Sequence, residues 1–442
     1  MDKNEGKFMN VSKDEYAFKR LPKEEKTSLF NVTLVRMGFA TSLAQFMLGA
    51  TLGHRMTFIE AMIATTLGSL VLIFVSFGLG YAGMKEGLST SILSRVCGFG
   101  RIGAMLIGIA ISISLLGWFG INISLISQGL INTITPDINL FWLIIVTGLL
   151  FSLLVALGFK GLSITAKVAV PLFLIVISFI SIKEIFLNPI DSFNFSKLNG
   201  ELLSVGDAAT MVAGLFIVGA LITPDISRYC KNGKHVFWMI FISIIVGEFF
   251  INGIAILVSH ALGTDDVVKI MLHSAGFIGF LTIVLSAIKV NDINLYSSSI
   301  NILGFLESIT NIKFNYAAIT ISLGLFGTLL ASLGILEYLT SFLLLLGVIF
   351  PPIAGVMLVD YYILKTSRKT LDETREKGLL PDDASTPLIG WSAIVACIVG
   401  TLIGIFFNFG IPSLNSILVA GLAYWILMKL KLHYPTSKSN YT

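Results

Sequence analysis

Long stretches without a charged residue are the feature that most limits what this chain can fold into. Residues 61–84, 102–136, 314–336, 338–359 and 384–428 contain no Asp, Glu, Lys or Arg. About 20 such apolar residues in a helix suffice to cross the hydrocarbon core of a bilayer. Only 13% of the 442 residues are charged, whereas an average soluble domain has about 25%. The sequence therefore predicts an all-α membrane protein with several spans and argues against a soluble enzyme.

We predict about twelve transmembrane helices, whose ends are marked by glycine, proline and polar clusters. They lie at about residues 28–50, 57–82, 103–132, 139–159, 163–187, 205–224, 235–261, 274–304, 316–332, 337–364, 388–408 and 413–431.

The Lys and Arg residues predict an orientation for these spans, because cytoplasmic loops of membrane proteins are enriched in them. With both termini inside, 24 of the 30 Lys and Arg residues fall in inner segments and four in outer loops. The remaining two, Arg36 and Lys289, fall within predicted helices. We therefore expect a multi-pass protein of the cell membrane with cytoplasmic termini. This distribution accounts for the net charge of +4 without a nucleic-acid partner.

Two helices, five apart in the chain, carry small polar residues and glycines at corresponding positions. The first has GFATSLAQ at 38–45, and the sixth has GLFIVG at 214–219 followed by TPD at 223–225. Transporters built from two inverted five-helix halves break these two helices near the midplane, which exposes backbone polar groups to substrate and ion. The alternative is that the glycines only allow close helix packing.

Four dispersed motifs resemble those of the nucleobase:cation symporter family. They are GWFG at 117–120, TPDISRY at 223–229, ND at 291–292, and FPPIAG at 350–355 with DY at 360–361. The resemblance implies a LeuT-type fold with a 5+5 inverted repeat, broken helices 1 and 6, and alternating access around one heterocycle site. The implied organisation is a cytoplasmic tail at residues 1–27, repeats at 28–187 and 205–364, and two peripheral helices at 388–431.

The resemblance also assigns side chains to the heterocycle. Trp118 matches a tryptophan on which family members stack a planar base, Phe216 matches the aromatic residue on its other face, and Asn291 matches an asparagine of the cytosine branch. An aromatic sandwich holds any flat ring, whereas polar groups at the ring edge choose which one. A packing or lipid-facing role is the alternative for each of the three.

Other positions depart from the cytosine branch of the family. Leu115 stands where that branch has a glutamine, Leu215 and Val218 stand where it has serines, and Ser286 replaces an asparagine. Each lost contact would leave a polar group of cytosine unpaired, at a cost of about 1 to 3 kcal/mol. We therefore expect another nucleobase-like substrate, or else a vitamin precursor, a hydantoin or a ureide. Gln45 is a candidate replacement contact, with helix packing as its alternative role.

Lys289 matches a position that belongs to the ion site in sodium-coupled members of this fold. There, sodium lies between first-helix carbonyls and eighth-helix oxygens at positions that match Ser286, Lys289 and Val290. An ammonium only donates and valine has no lone pair, so a sodium site of that type is spoiled. We expect the Lys289 amine to replace the ion against the carbonyls of Gly38 and Ser42, with coupling to protons or facilitated exchange as the result.

Two alternatives for Lys289 stay open at this point. One is a permanent pair with Asp292, three residues further along the helix, and the other is sodium coupling with Lys289 off the ion site. Arg36 is expected to snorkel or to pair at a gate, and Glu248 is a second candidate for binding a proton.

The motifs of other protein classes are missing from the sequence. Without HExxH, GxSxG or carboxylates paired at helical spacing in a span, an intramembrane enzyme is not expected. Cys97, Cys230 and Cys397 have no CxxC spacing and no ligand partner, so we expect neither a metal nor another cofactor. A receptor without transport would need an appended signalling domain. We expect a monomer, since nothing in such a fold requires more.

Overall fold

The computed structural model describes residues 19–157, 162–187, 201–382, 386–407 and 409–433. Most of the predicted N-terminal tail and the loop at residues 188–200 therefore lie outside the described residues. Within the described ranges, six helices are long and apolar enough to cross a membrane and one bent pair makes a seventh. Four shorter apolar helices and Leu162–Leu187 bring the total for these ranges to twelve. The predicted all-α, twelve-helix architecture is confirmed.

The twelve helices are numbered in chain order. They are α1 (Leu29–Ala40 and Leu43–Arg55), α2 (Phe58–Glu86), α3 (Gly100–Thr133), α4 (Leu140–Ala156), α5 (Leu162–Leu187), α6 (Val205–Leu221 and Thr223–Ser227), α7 (Gly233–Leu262), α8 (Val267–Thr310), α9 (Tyr316–Ser332), α10 (Leu339–Leu364), α11 (Trp391–Phe406) and α12 (Pro412–His433). A short helix, Thr90–Ser94, precedes α3, and a loop helix, Arg368–Glu376, follows α10. In α8, Gly276 has φ 54° and ψ −132°, so the helix is kinked close to its predicted start.

Contacts between helices follow a two-fold pattern. Helix α3 packs along α8 and α4 packs along α9, while α1 packs on α7 as α6 packs on α2. If each helix is exchanged for the helix five positions away in the chain, the α3–α8 and α4–α9 contacts stay the same. The α1–α7 contact then becomes the α6–α2 contact, and the reverse. This is the arrangement expected of two five-helix repeats around a common centre.

Helix α1 is broken in its middle, where its two halves differ in direction by 53°. Thr41 has φ −92° and ψ 80°, and Ser42 is extended with φ −136° and ψ 157°. Extended residues cannot continue the helical hydrogen bonds, so carbonyl groups at the end of the first half need other donors. The predicted interruption of the first helix is confirmed.

Helix α6 is also interrupted, but one turn later than its glycines suggested. Val205–Leu221 is continuous, and the irregular residue is Ile222, just before Thr223–Ser227. Gly214 has a packing role, because a Cβ atom there would clash with the carbonyl oxygen of Leu343 in α10. Pro224 lies at the start of the short second helix, where its missing N–H costs no hydrogen bond.

A buried carboxylate connects several segments at one end of the helix bundle. Glu86, at the end of α2, accepts hydrogen bonds from Tyr361 Oη at 2.7 Å and Arg375 Nη1 at 2.9 Å. Arg20 Nη1 lies 3.7 Å from the same carboxylate. These four residues, which we term the Glu86 cluster, attach the N-terminal segment and the loop helix to α2 and α10.

The outer faces of the bundle are apolar. Phe74, Trp142 and Phe186 are 57%, 63% and 82% exposed, respectively. Large hydrophobic side chains on this scale are stable when their solvent is lipid rather than water. Buried polar residues include Thr41 and Ser42 at the break in α1 and Thr223 at the interruption of α6.

Candidate functional site

A cavity of about 370 Å³ lies between the broken helix α1 and helices α3, α6 and α8. Its walls include Gly38 and Ser42 at the α1 break and Gly219 and Ile222 at the α6 interruption. The volume falls in the range of about 300 to 1,000 Å³ typical of small-molecule sites. The two helix interruptions therefore face one common space.

One end of the cavity lies at the surface of the protein. Thr90, Ser91 and Asp225 line that end, and Ser91 is exposed. The backbone N–H of Thr90 donates to Asp225 Oδ1 at 2.8 Å, which joins the short helix after α2 to the second half of α6. Because Thr90 follows closely after Glu86 in the chain, the opening lies at the same end of the bundle as the Glu86 cluster.

Two aromatic side chains predicted to hold a ring, Trp118 and Phe216, both line this cavity. Trp118 projects from α3 and Phe216 from α6. The ring of Phe342 in α10 meets Trp118 edge to face, with centroids 5.4 Å apart and planes at 75°. Edge-to-face packing of this kind orients an indole while leaving a face of it free for a planar ligand. Leu115, one turn before Trp118, adds an apolar wall.

Lys289 of α8 reaches across to the broken helix. Its Nζ donates to the carbonyl oxygen of Gly38 at 2.5 Å, and its side chain is nine-tenths buried. Close by, Ser286 Oγ accepts from the backbone N–H of Leu43 at 3.4 Å. Side chains one turn apart on α8 thus contact both halves of α1. Gly38, Ser42, Ser286 and Lys289 all line the cavity.

Three predicted residues lie elsewhere, which corrects their expected positions. Asp292 is half-buried and outside the cavity lining, and Lys289 forms no ion pair with it in the described part of the chain. Asn291 is fully buried, with Nδ2 3.5 Å from the carbonyl of Phe119. Gln45 is also fully buried and donates to Glu248 at 3.0 Å. In each case the rotation of the helix turns the side chain away from the cavity.

Sequence reasoning missed the polar groups that do face the cavity. Asn294 and Ser114 line it and are at least nine-tenths buried, and Asn294 Nδ2 and Ser114 Oγ have no hydrogen-bond partner among the described residues. A buried polar atom without a partner is costly unless a ligand or water satisfies it. The signal was present in α8, where polar residues recur at helical spacing from Ser286 to Ser297 and Asn301.

The site lacks the features of a metal centre within the described ranges. There, no group of three or more His, Cys, Asp or Glu side chains could hold a metal ion, and the three cysteines are free. The charged group at the cavity centre is the ammonium of Lys289, and the remaining lining is apolar or neutral polar apart from Asp225 at the opening.

The fold and this cavity define a membrane transporter, since two repeats with broken helices surround a site of a size suited to a small molecule. The chain belongs to the family of permeases for cytosine/purines, uracil, thiamine and allantoin, whose family model matches residues 20–427. It is 28% identical over 415 residues to the cytosine permease of Escherichia coli K12, with 92% of each chain covered. The cytosine permease of Escherichia coli O157:H7 matches to the same extent.

Solved structures with the same fold include the transporter Mhp1. Its inward-facing conformation matches with a TM-score of 0.76 at 16% identity, over 93% of both chains. A closed conformation of Mhp1, a nucleobase-cation-symport-1 family transporter with bromovinylhydantoin bound, matches with a TM-score of 0.70 at 16% identity, over 95% of this chain and 96% of that one. A Na⁺-coupled sialic acid symporter has a TM-score of 0.58 at 13% identity, over 97% and 94%. The predicted family and LeuT-type fold are confirmed, and the family consists of permeases rather than enzymes.

Proposed function

We propose that the protein imports a planar, nucleobase-like heterocycle across the cell membrane by alternating access. The observation that carries this proposal is the cavity of about 370 Å³ between the two interrupted helices, with Trp118 and Phe216 on its walls. Aromatic rings in the wall of a cavity favour a flat ligand, because a planar ring can stack on them. The closed conformation of Mhp1 holds such a ligand, a substituted hydantoin.

The edge of the ligand is recognised by polar groups different from those of the cytosine branch. Leu115 and Ser286 stand at positions that have amides in that branch, and Asn294 and Ser114 offer unpaired polar atoms instead. A site without a hydrogen-bond partner for a polar group at the edge of a heterocycle rejects the heterocycles that carry that group. The substrate is therefore a heterocycle other than cytosine, either a nucleobase or a vitamin precursor, hydantoin or ureide.

Lys289 takes the place of a sodium ion in this proposal. Support comes from the contact between Lys289 Nζ and the carbonyl oxygen of Gly38 at 2.5 Å. This contact joins α8 to the first half of α1, close to the break. A fixed ammonium supplies a positive charge there without an ion from solution, and loss of its proton would weaken its contact with the Gly38 carbonyl. The Ser42 carbonyl, also expected to contact Lys289, instead accepts a hydrogen bond from the backbone N–H of Gln45. Transport is then coupled to protons or proceeds by exchange.

The orientation follows the distribution of basic residues, with both termini in the cytoplasm. The Glu86 cluster then marks the inner end, and the open cavity faces the cytoplasm. A Ser91→Cys variant in a Cys397→Ser background tests this. A membrane-impermeant maleimide should label it in inside-out vesicles and leave it unlabelled in right-side-out vesicles. The opposite labelling would reverse the orientation. The protein is proposed to act as a monomer.

The central experiment measures thermal stability of the purified protein with a panel of heterocycles, each in sodium chloride and in choline chloride. A ligand that binds only the folded state increases the free energy of unfolding, by about 2.7 kcal/mol at a hundredfold excess over its Kd. The midpoint temperature of unfolding therefore rises. The proposal predicts that one heterocycle stabilises equally in both salts and that cytosine does not. Stabilisation only in sodium would establish sodium coupling, and no stabilisation by any member would place the substrate outside this chemistry.

A further inference from the structure

A second buried polar cluster lies beside the α1 break, on α7. Glu248 is 2% exposed and sits in a π-helical stretch, Ile245–Ile251. Gln45 Nε2 donates to its Oε2 at 3.0 Å, and Asn252 Nδ2 lies 3.5 Å from the same oxygen. Within the described ranges, no Lys, Arg or His forms an ion pair with this carboxylate. A bare carboxylate in the interior of a membrane protein would be expensive without a cation or a proton.

The cluster is also short of a hydrogen-bond donor. Gln45 Oε1 and Asn252 Oδ1 are buried and have no partner among the described residues. Turning either amide by 180° does not help, since its oxygen would then face the Glu248 carboxylate. A proton on Glu248 removes the buried charge and, when one amide turns to present its oxygen, supplies a donor for that oxygen.

Glu248 also has access to a small cavity of about 40 Å³, which is large enough for at least one water molecule. Arg36 of α1 lines the same cavity. Its guanidinium donates to the hydroxyls of Ser243, Thr223 and Ser76 at 3.2, 2.9 and 3.0 Å. Because these partners are neutral, the positive charge of Arg36 remains available to attract Glu248 when the latter is ionised.

The small cavity adjoins the large one. Phe39, Phe216, Gly219 and Ile222 line both, so the ring of Phe216 borders the cavity of Glu248 as well as the heterocycle site. Movement of that ring when a ligand binds would therefore alter the access of Glu248 to water. Glu248 is tied to both halves of α1, through Gln45 in the second half and through the shared cavity with Arg36 in the first.

We propose that Glu248 is a proton-binding residue, distinct from Lys289, which exchanges its proton through the cavity it shares with Arg36. The helices packed against its π-helical stretch include α1 and α2. Arg36 is the charged side chain that α1 presents to this cavity, and α2 presents Leu72. Lys289 lies on another side of α1, at Gly38. When protonated, Glu248 donates to an amide oxygen; when ionised, it is drawn towards Arg36, which moves the first half of α1 relative to α7.

This inference deepens the proposed transport function, but its first test requires no substrate. The infrared spectrum of the purified protein is recorded from alkaline to acidic pH in choline chloride. Protonated buried carboxyl groups give C=O stretching bands, and we expect one band of the wild type to be lost in Glu248→Gln, as seen in the difference spectrum of the two proteins. Glu337→Gln, which removes an exposed carboxyl group, is the control and should retain the band.

Three results would overturn the proposal. The first is that the difference spectrum between the wild type and Glu248→Gln shows no carboxylic-acid band at any pH. The second is that this difference band does not change with pH. The third is that sodium chloride abolishes the difference band at constant pH, which would make the cluster a cation site. Gln45→Leu serves as a second variant if Glu248→Gln does not fold. It removes a donor to the carboxylate, so the band should persist to higher pH than in the wild type.

Transport provides the second test, with radiolabelled uracil in proteoliposomes as the probe. Glu248→Gln should reduce accumulation driven by a pH gradient at least about tenfold while leaving uracil exchange within about threefold of the wild type. Equal accumulation by both proteins would contradict a coupling role. If the wild type does not carry uracil, uracil is excluded as a substrate, and the infrared result still decides the role of Glu248.

Discussion

Replacing Lys289 by serine and Val290 by threonine is expected to create sodium-dependent stability in this protein. The double variant places two hydroxyl oxygens one turn after Ser286, beside the Gly38 carbonyl that the lysine now contacts at 2.5 Å. Oxygen atoms from α8 and from the broken helix α1 would then surround the space left by the lysine side chain. Unwound backbone carbonyls of this kind coordinate sodium in transporters with broken helices.

The magnitude follows from the contact that is lost and the ion that replaces it. A hydrogen bond from a charged group contributes about 1.5 to 3 kcal/mol, and its loss leaves the Gly38 carbonyl without that donor. Sodium at a hundredfold excess over its Kd returns about 2.7 kcal/mol. The double variant should therefore match the wild type in sodium chloride and be less stable by about 1.5 to 3 kcal/mol in choline chloride.

Thermal unfolding in the two salts at equal ionic strength measures this difference directly. Val290→Thr alone retains the lysine and is the matched control, with the same midpoint in both salts. The reasoning is refuted if the double variant is equally stable in both salts while it still folds and binds the heterocycle. That result would mean that Ser286, Lys289 and the α1 break do not form one ion site.

Three further predictions concern the ring site, its edge and the Glu86 cluster. Trp118→Ala should weaken heterocycle binding about 5- to 150-fold, because stacking on an aromatic side chain contributes about 1 to 3 kcal/mol per base; titration of the thermal midpoint measures it, and unchanged affinity would remove Trp118 from the site. Asn294→Ala should lower the affinity for ligands that accept a hydrogen bond by about 1 to 3 kcal/mol and spare analogues without the acceptor, in a competition assay; an equal loss for both would indicate a structural role. Arg375→Ala should lower the free energy of unfolding by about 1 to 3 kcal/mol, because the buried Glu86 loses one partner but keeps Arg20 and Tyr361. A thermal unfolding midpoint equal to that of the exposed control Lys369→Ala would contradict this.

The α6 interruption shows how a local signal can be correct in kind and displaced in position. Glycines at 214 and 219 suggested a break between them, yet the helix continues to Leu221. Gly214 is needed because α10 approaches closely, and Gly219 lines the cavity. Sequence alone does not distinguish a glycine that opens a helix from one that lets a neighbour pack against it, because both require only the absence of a side chain.

The buried carboxylates illustrate a second limit. Glu86 and Glu248 look alike in the sequence, as single acids in or next to apolar segments. In the structure Glu86 lies beside Arg20 and Arg375, whereas Glu248 meets the amides of Gln45 and Asn252. Whether a buried acid is paired depends on residues far away in the chain, which no local pattern reveals.

The sequence by itself determined the properties that depend on one segment at a time, namely the membrane helices and the break in α1. Apolar length and the absence of charge require membrane helices, and the non-helical residues Thr41 and Ser42 fall within the small polar segment that predicted the break in α1. Tertiary structure alone decided which face of each helix lines the cavity. Successive residues point about 100° apart around a helix, so Asn294 faces the cavity while Asn291 is buried beside Phe119. That rotation is set by packing between helices such as α3 and α8, and packing is a property of the pair.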